Sequence, residues 1–498
     1  MTDFDAVVIG AGNAGLTAAT TLQRGGLRTL LVERHSVPGG CGTSFRRGRF
    51  EFEVALHQLS GVGAEGQERR TLRGLFGKLG VLGKIDFVQE DDLYRAVVPG
   101  CYDVTIPADW DQAVEALEFA FPGNRENLKR FFGLVREVTF WKTAAMRGIP
   151  AGKIDQVFFR NALRTLQDVL DEHFGDARIK HALSAYWFYL GQPPSKLSFQ
   201  DMAATLFAYL EFKPWHVKGG SQAMSSALFE SYAEAGGTAL LNTAVDRITT
   251  GGGAVTGVRL SDGQEFSTRD VVSNAALPLT YDLLDGKTPA AVRADLATRR
   301  VGVSAFVLHM GLAAPPAELG FTTSTSFIGA DLDNDRAHAT MRTLEPARTI
   351  CVSSYDVTPI GFAPPGSTHA SLMTLQYAKP WETVPPAQYA STKFAYAETL
   401  LDRIEVLVPD VRAAIEEVDV ATPVTLERYL GHPGGAIYGY AQDRTEGWVF
   451  RDDEHGSAVP GLHVAGSWSG LGGFQPTFEA GARVANRMLR ENAARVRN

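Results

Sequence analysis

An α/β fold with a parallel sheet is what the opening of this chain predicts, on three observations. "FDAVVIG" (4–10) is an apolar run ending in glycine, the pattern of a strand buried on both faces. "AGNAGLTAATTLQRGG" follows, its small residues suited to a helix packed close against a sheet, with Gly25 and Gly26 to stop it. "LRTLLVER" then reads as a second buried strand, so the local unit is βαβ.

The rest of the composition fits a large globular protein. With 498 residues the chain exceeds one ordinary domain. At 45% hydrophobic and 21% charged it has ample material for a core, and its 51 glycines cluster at turns rather than in a repeat. A net charge of −8 gives no electrostatic case for nucleic acid or an anionic membrane surface. Cys41, Cys101 and Cys351 are too few and too scattered for a disulfide framework or a metal centre, so a reducing cytoplasm is expected and no metal. The start "MTDFDAVVIGAG" runs straight into a folded element, from which no secretion is expected. No apolar run reaches the roughly 18 residues of a membrane-spanning helix. Only the tail "RENAARVRN" is expected to fray.

Inside the βαβ unit lies Gly10-x-Gly12-Asn13-Ala14-Gly15. Gly10 permits a tight turn, Gly12 lets backbone approach a pyrophosphate, and Gly15 lets the helix sit on the strand. The phosphates would meet free N–H groups and the positive dipole end at the helix start, around Asn13 and Ala14. Glu33 closes the second strand, about 20 residues on, where an acid binds ribose hydroxyls. Glycines and acid in register on strand, helix and strand form a specific signal for a dinucleotide. The acid favours FAD or NAD over NADP, although Arg34 follows it.

Residues 38–61, "PGGCGTSFRRGRFEFEVALHQLSG", carry a second glycine cluster into an aromatic strand and on to His57, without a clear hairpin or helix pattern. With the βαβ unit before it, this stretch resembles the superfamily of flavin-dependent amine oxidases, phytoene desaturases and carotenoid isomerases, and within it retinol saturases and carotenoid isomerases. Three further segments are similar: "KGGSQAMSSALFESYAEAGGTALLNTAVDRI", "ATPVTLERYLGHPGGAIYGYAQD" and "GLHVAGSWSGLGGFQPTFEAGARVANRML". The resemblance implies non-covalent FAD on a Rossmann-type domain (glutathione reductase-like, three-layer ββα) interleaved with an α+β substrate domain. It implies that Gly39, Gly40, Cys41, Gly42 and Thr43 lie along the pyrophosphate and ribityl chain, that Val245 sits near the adenine, and that the strand 50–54 brings His57 to the flavin ring. Asn274, at the end of a further buried strand, and Gly466, Ser467, Gln475, Pro476 and Thr477 complete the expected cofactor contacts. Two departures stand out: the C-terminal strand ends Gly466-Ser467 rather than glycine and an acid, and the usual acid-x-Gly-x-His reads Glu53-x-Ala55-x-His57. The domains implied are 1–90, 215–285 and 455–498 for FAD, and 91–214 and 286–454 for substrate.

The residues themselves constrain the chemistry further. Pro476 suits the first position of a helix, which would aim the N–H groups of Thr477 and Phe478 at an electron-rich partner. His57, among Val54, Ala55, Leu56 and Leu59, fits either a proton-handling role or a core histidine bonded to a carbonyl. Tyr438, Tyr440 and His432 share a glycine-rich loop that either faces a pocket or packs as an ordinary loop. Cys41 has no adjacent base and reads as a buried filler. No second βαβ glycine fingerprint exists, so electrons are expected from an external donor or acceptor. Between 91 and 214, aromatic residues recur at helical spacing, most as helix cores and some as the lining of an apolar tunnel. Peripheral membrane contact fits that density, but no basic amphipathic stripe accompanies it.

The expected activity is therefore saturation, desaturation or isomerisation of carbon–carbon double bonds in a lipophilic, conjugated molecule, by hydride transfer at flavin N5. His57 and Tyr438 are the candidate catalytic residues. Two rivals share the architecture: an amine oxidase, for which Trp468 would flank the flavin, and a prenyl-binding escort without flavin chemistry.

Overall fold

Two sheets organise the chain, seen in a computed structural model that describes residues 2–69, 71–146, 148–444 and 458–497. The first is parallel and five-stranded, in the order Leu462–Val464, Val271–Ser273, Ala6–Ile9, Thr29–Val32, Thr238–Leu240. Alternation along its central strand builds three layers. Ala6 and Val8 pack against the helices Asn13–Arg24, Gly220–Glu234 and Phe474–Arg497 through Leu16, Leu228 and Phe478. Val7 and Ile9 face a meander of Val245–Gly251, Ala254–Leu260 and Glu265–Ser267, meeting Ile248 and Val258. Each such fully buried side chain contributes about 1.5–3 kcal/mol.

The second sheet has seven strands, in the order Ile415–Ala421, Ser304–Leu312, Thr368–Gln376, Thr349–Ser354, Thr325–Gly329, Asp92–Val98, Tyr102–Pro107. Its pairings are antiparallel except that of Thr325–Gly329 with Asp92–Val98. The aromatic segments foreseen at helical spacing cover one face: Tyr186, Phe199 and Leu206 pack on Val307, Phe327 and Met373. The helix Pro386–Ile404 covers the other, with Tyr396 and Leu400 on Phe306 and Ile350. The predicted boundary between 454 and 455 lies outside the described residues.

Local departures from the sequence reading have physical causes. Ser44–Arg47 and Phe50–Glu53 form a hairpin, closed by Gly48 and Arg49, with Gly48 at φ +51°. Glycine at the first turn position supplies that left-handed conformation, a weaker signal than Asn-Gly. The strand expected over 50–54 thus ends at Glu53, and fully buried Phe50 packs across Gly311 of the second sheet, so the hairpin joins the two halves. The last helix runs Phe474–Arg497, through the tail expected to fray. It crosses Asn13–Arg24 closely, since a Cβ at Gly481 would overlap the Ala14 carbonyl. Among the described residues no helix is long and apolar enough to cross a membrane, and no His, Cys, Asp and Glu group has metal-binding geometry.

Candidate active site

The first glycine loop forms because its backbone needs what only glycine gives. Gly10 sits at φ +90°. A Cβ on Gly15 would overlap the Gly10 carbonyl oxygen, and one on Gly12 would lie 2.7 Å from the Asn274 amide. Oriented by its neighbours, that amide accepts from Gly12 N–H and donates to the Ala465 carbonyl, both at 3.2 Å. Asn274 therefore ties three strand ends together as well as lining the cavity beside them. Glu33 accepts from Ala11 N–H at 2.7 Å and His35 N–H at 2.8 Å, which fixes the carboxylate while leaving lone pairs toward the cavity. Arg34 is turned elsewhere: its guanidinium donates to the Tyr429 carbonyl, at the last turn of helix Pro423–Leu430, where a cation suits the dipole.

The second glycine cluster docks on the first. Gly39 N–H donates to Ala11 O at 2.7 Å, and Gly39 bridges Gly12 in parallel fashion. Gly39, Gly40 and Cys41 line the cavity with Gly10, Gly12, Asn13, Ala14 and Val245, whereas Gly15, Gly42 and Thr43 do not. Gly15 serves helix–strand contact, Gly42 faces Asn13 and Ser225, and Thr43 donates to Gly40 O at 3.1 Å. Burial pushes the Cys41 thiol up to about 11, so it is not a thiolate nucleophile at neutral pH.

At the other end, Gly466, Ser467, Gln475, Pro476 and Thr477 all line the cavity. The helix starts at Phe474 rather than Pro476, and Thr477 N–H bonds Gly473 O at 3.3 Å. Because Pro476 has no N–H, the unspent donors of this first turn belong to Phe474 and Gln475, not to Thr477 and Phe478. Gln475 accepts from Ser60 Oγ at 2.8 Å, joining this turn to the His57 loop. Tyr438 packs on Gly472, and burial holds its phenol well above its ordinary pKa. His432 bonds the Ala436 carbonyl at 3.0 Å, and Trp468 is buried edge-on against Tyr440 and His432.

His57 is on the cavity wall, stacked on Tyr189, with Nδ1 2.7 Å from Ser353 Oγ. Its partner is a hydroxyl 296 residues away, not the carbonyl of a simple core histidine. Burial, then the positive His216, push its pKa down to about 4, so the ring is neutral at physiological pH. Burial alone would lower His216 too, but the Glu90 carboxylate paired with it outweighs that and raises it. Glu90 also accepts from Gln58 Nε2 at 2.6 Å, and Tyr209 OH donates to Gln58 O at 3.2 Å, which fixes the loop carrying His57. Glu53 holds the loop from below: it accepts from Ser221 N–H (2.7 Å), Ser221 Oγ (2.5 Å) and Leu56 N–H (3.2 Å). Burial raises its pKa against those bonds. Sequence reasoning missed Ser353, Glu90, His216 and Tyr189's role, none of which is near His57 in the chain.

These walls enclose one cavity of about 1770 Å³, above the roughly 300–1,000 Å³ usual for a single small ligand. It runs from the glycine loops past His57 into the aromatic helices. There Phe140, Tyr189, Phe207, Tyr209 and Phe212 line it, while Phe131, Phe132, Tyr186, Trp187 and Phe188 are helix core. The glycine track fits a dinucleotide: two glycine-rich loops face one helix start, beside a fixed acid, and Asn13 Oδ1 is buried there without a partner among the described residues.

Comparison with known proteins agrees with this geometry. Residues 13–489 match the family of flavin containing amine oxidoreductases. All-trans-retinol 13,14-reductase of Danio rerio is 25% identical over 88% of this chain and 77% of its own. Prolycopene isomerase of Arabidopsis thaliana is 24% identical over 93% and 78%. Lycopene-forming phytoene desaturase of a Paracoccus strain is 25% identical over 98% of each. An oxidoreductase from Methanosarcina mazei shares the fold, with a TM-score of 0.66 at 16% identity over 97% and 99% of the two chains. The glycine track and the cavity it opens into thus belong to a member of the flavin containing amine oxidoreductase family, and the chain is a flavin-dependent oxidoreductase.

Proposed function

We propose that the protein binds FAD non-covalently and acts on carbon–carbon double bonds of a lipophilic, conjugated substrate, by saturation, desaturation or isomerisation. The observation that carries this reading is the single cavity in which a glycine-lined track continues past neutral His57 into an aromatic tunnel. A bound flavin supplies hydride transfer; the protein supplies position and electrostatics. Gly10 and Gly12 let the pyrophosphate approach bare backbone, Asn13 and Ala14 offer it helix N–H groups, and Glu33 takes ribose hydroxyls. Val245 and Asn274 wall the dinucleotide, and Gly39, Gly40 and Cys41 give it a smooth track. The unspent N–H groups of Phe474 and Gln475 stabilise negative charge at the ring end. His57 presents a neutral ring to the reacting carbons, and Tyr438 a protonated phenol able to give a proton. The raised Cys41 thiol supports non-covalent binding, because a thioether would need its thiolate.

On this reading 1–90, 215–285 and 455–498 hold the cofactor, and 91–214 and 286–454 the substrate. Electrons come from or pass to an external partner, and no nucleic acid is involved. Phe140 and Ile149 line the cavity yet are 61% and 42% exposed, an apolar mouth suited to peripheral contact with a membrane holding the substrate. Three free cysteines favour a reducing compartment, the cytoplasm. Anaerobic incubation of reduced and oxidised holoprotein with a polyene panel, followed by mass spectrometry, tests the activity. Gain of two hydrogens means saturation, loss means desaturation, and unchanged mass with altered retention means isomerisation. Turnover of amines alone would refute the reading.

A further inference from the structure

Deep in the helical part of the cavity wall is an ion pair that an apolar tunnel does not call for. Lys142 Nζ lies 2.5 Å from Asp201 Oδ1, and both side chains are 4% exposed. Both line the cavity, Lys142 from helix Arg125–Met146 and Asp201 from helix Phe199–Phe212. Taking two charges out of water costs several kcal/mol per ion, and apolar side chains would join two helices as well or better. A pair kept at that cost has another use. Its hydrogen-bonding capacity is also incomplete. Of the three ammonium hydrogens, one goes to Asp201 and one to Gln200 O at 3.4 Å. Asp201 Oδ2 accepts nothing among the described residues, and Thr139 Oγ1, one turn from Lys142 on the same helix, is buried and unpartnered.

We infer that the substrate is an amphiphile ending in a neutral hydroxyl, held by the Lys142–Asp201 pair. This rests on the lipophilic-substrate reading and adds its polar end. A hydroxyl donates to Asp201 Oδ2 and accepts from the remaining Lys142 hydrogen, which satisfies both, and its second lone pair accepts from Thr139 Oγ1–H. A hydrocarbon end leaves both unpaired, and a carboxylate end would face the Asp201 carboxylate. The position suits a chain anchored at one end and reacting further along. Tyr209, whose hydroxyl reaches the backbone beside His57, is eight residues from Asp201 on one helix, or about 12 Å along its axis.

The test uses flavin-loaded holoprotein, with dissociation constants read from the change in flavin absorbance. The probes are a C20 polyene alcohol and the hydrocarbon and carboxylic acid of the same chain. The wild type is expected to bind the alcohol at least about tenfold more tightly than either analogue. The double variant Lys142→Met/Asp201→Leu, which removes both charges at similar volume, is expected to lose that preference while keeping its flavin spectrum. Thr139→Val, a near-isosteric change, is expected to weaken the alcohol several-fold and leave the hydrocarbon unchanged, and it decides the matter if the double variant does not fold. Equal wild-type affinity for alcohol and hydrocarbon, or a preference that survives in the folded variants, overturns the hydroxyl anchor alone. If none of the three probes binds, the lipophilic-substrate reading falls and the anchor with it.

Discussion

Replacing Gly15 by alanine probes the cofactor site through a single methyl group. The built Cβ overlaps the Gly10 carbonyl oxygen and stands 3.1 Å from its carbon and 3.3 Å from Asn274 Cβ. Two of these three atoms are backbone of the tight turn, so no side chain can swing aside. Relaxed non-bonded contacts need about 3.5 Å, so the first turn of helix Asn13–Arg24 must withdraw by ~1 Å or more. Overpacking of this kind costs about 1–3 kcal/mol. The functional cost is larger, because hydrogen bonds to phosphate tolerate only a few tenths of an ångström around 2.7–3.2 Å, and the helix start would move by several times that. Gly133→Ala is the matched control: it lies inside helix Arg125–Met146 with nothing within 4 Å of its Cβ, and is expected to stabilise by up to about 1 kcal/mol. The assay is flavin content per chain after purification, with thermal unfolding in excess FAD. The expected result is a Gly15→Ala protein that folds, melts several degrees lower and retains little flavin. Full occupancy with an unchanged melting temperature would refute the packing argument.

Other consequences follow from the same contacts. Glu33→Ala frees the Ala11 and His35 N–H groups and removes the ribose acceptor, so FAD affinity should fall at least about tenfold by titration; unchanged affinity removes Glu33 from the site. Glu53→Ala leaves Ser221 N–H buried without an acceptor and Ser221 Oγ with only the Thr43 carbonyl at 3.4 Å, and should cost about 2–3 kcal/mol in denaturant unfolding; a loss under 0.5 kcal/mol would contradict its anchoring role. The lowered pKa of His57, about 4 against an ordinary 6.5, means that the unfolded chain takes up its proton first as pH falls. Its contribution is intact above about pH 6.5, shrinks toward pH 4, and amounts to about 2 kcal/mol lost by pH 5. His216, raised rather than lowered, runs the opposite way, so the comparison must be made by difference. His57→Gln should therefore flatten the fall of melting temperature between pH 6.5 and 4.5, and parallel wild-type and variant curves would contradict a buried neutral His57.

What could be read in the sequence follows from how far each signal reaches along the chain. Gly10, Gly12, Gly15 and Glu33 work at fixed offsets within one βαβ unit, so strand, turn and helix were legible together. The meander's turns at 251–253 and Asp262-Gly263 are signals of the same local kind. The hairpin of Ser44–Arg47 and Phe50–Glu53 was not, because Gly48-Arg49 is a weak turn signal and Phe50 is held by Gly311 of the other sheet. Pro476 misled by two residues, since the helix recruits Phe474 and Gln475 ahead of it. The surroundings of His57 were beyond reach. Ser353 and His216 arrive from two strands, Tyr189 from a helix and Glu90 from a link between strands, and no spacing rule connects them. The Lys142–Asp201 pair is similar: each residue alone looks like solvated surface of an amphipathic helix.

The central claim is that one cavity holds a flavin and a lipophilic substrate against each other. Its most direct test is the visible spectrum of purified, FAD-equilibrated protein during anaerobic titration with a polyene alcohol. The account predicts about one flavin per chain and a saturable shift of its absorption bands as the polyene binds beside it. A protein that takes up no flavin from excess FAD, or whose bound flavin is unperturbed by saturating polyene, would contradict it.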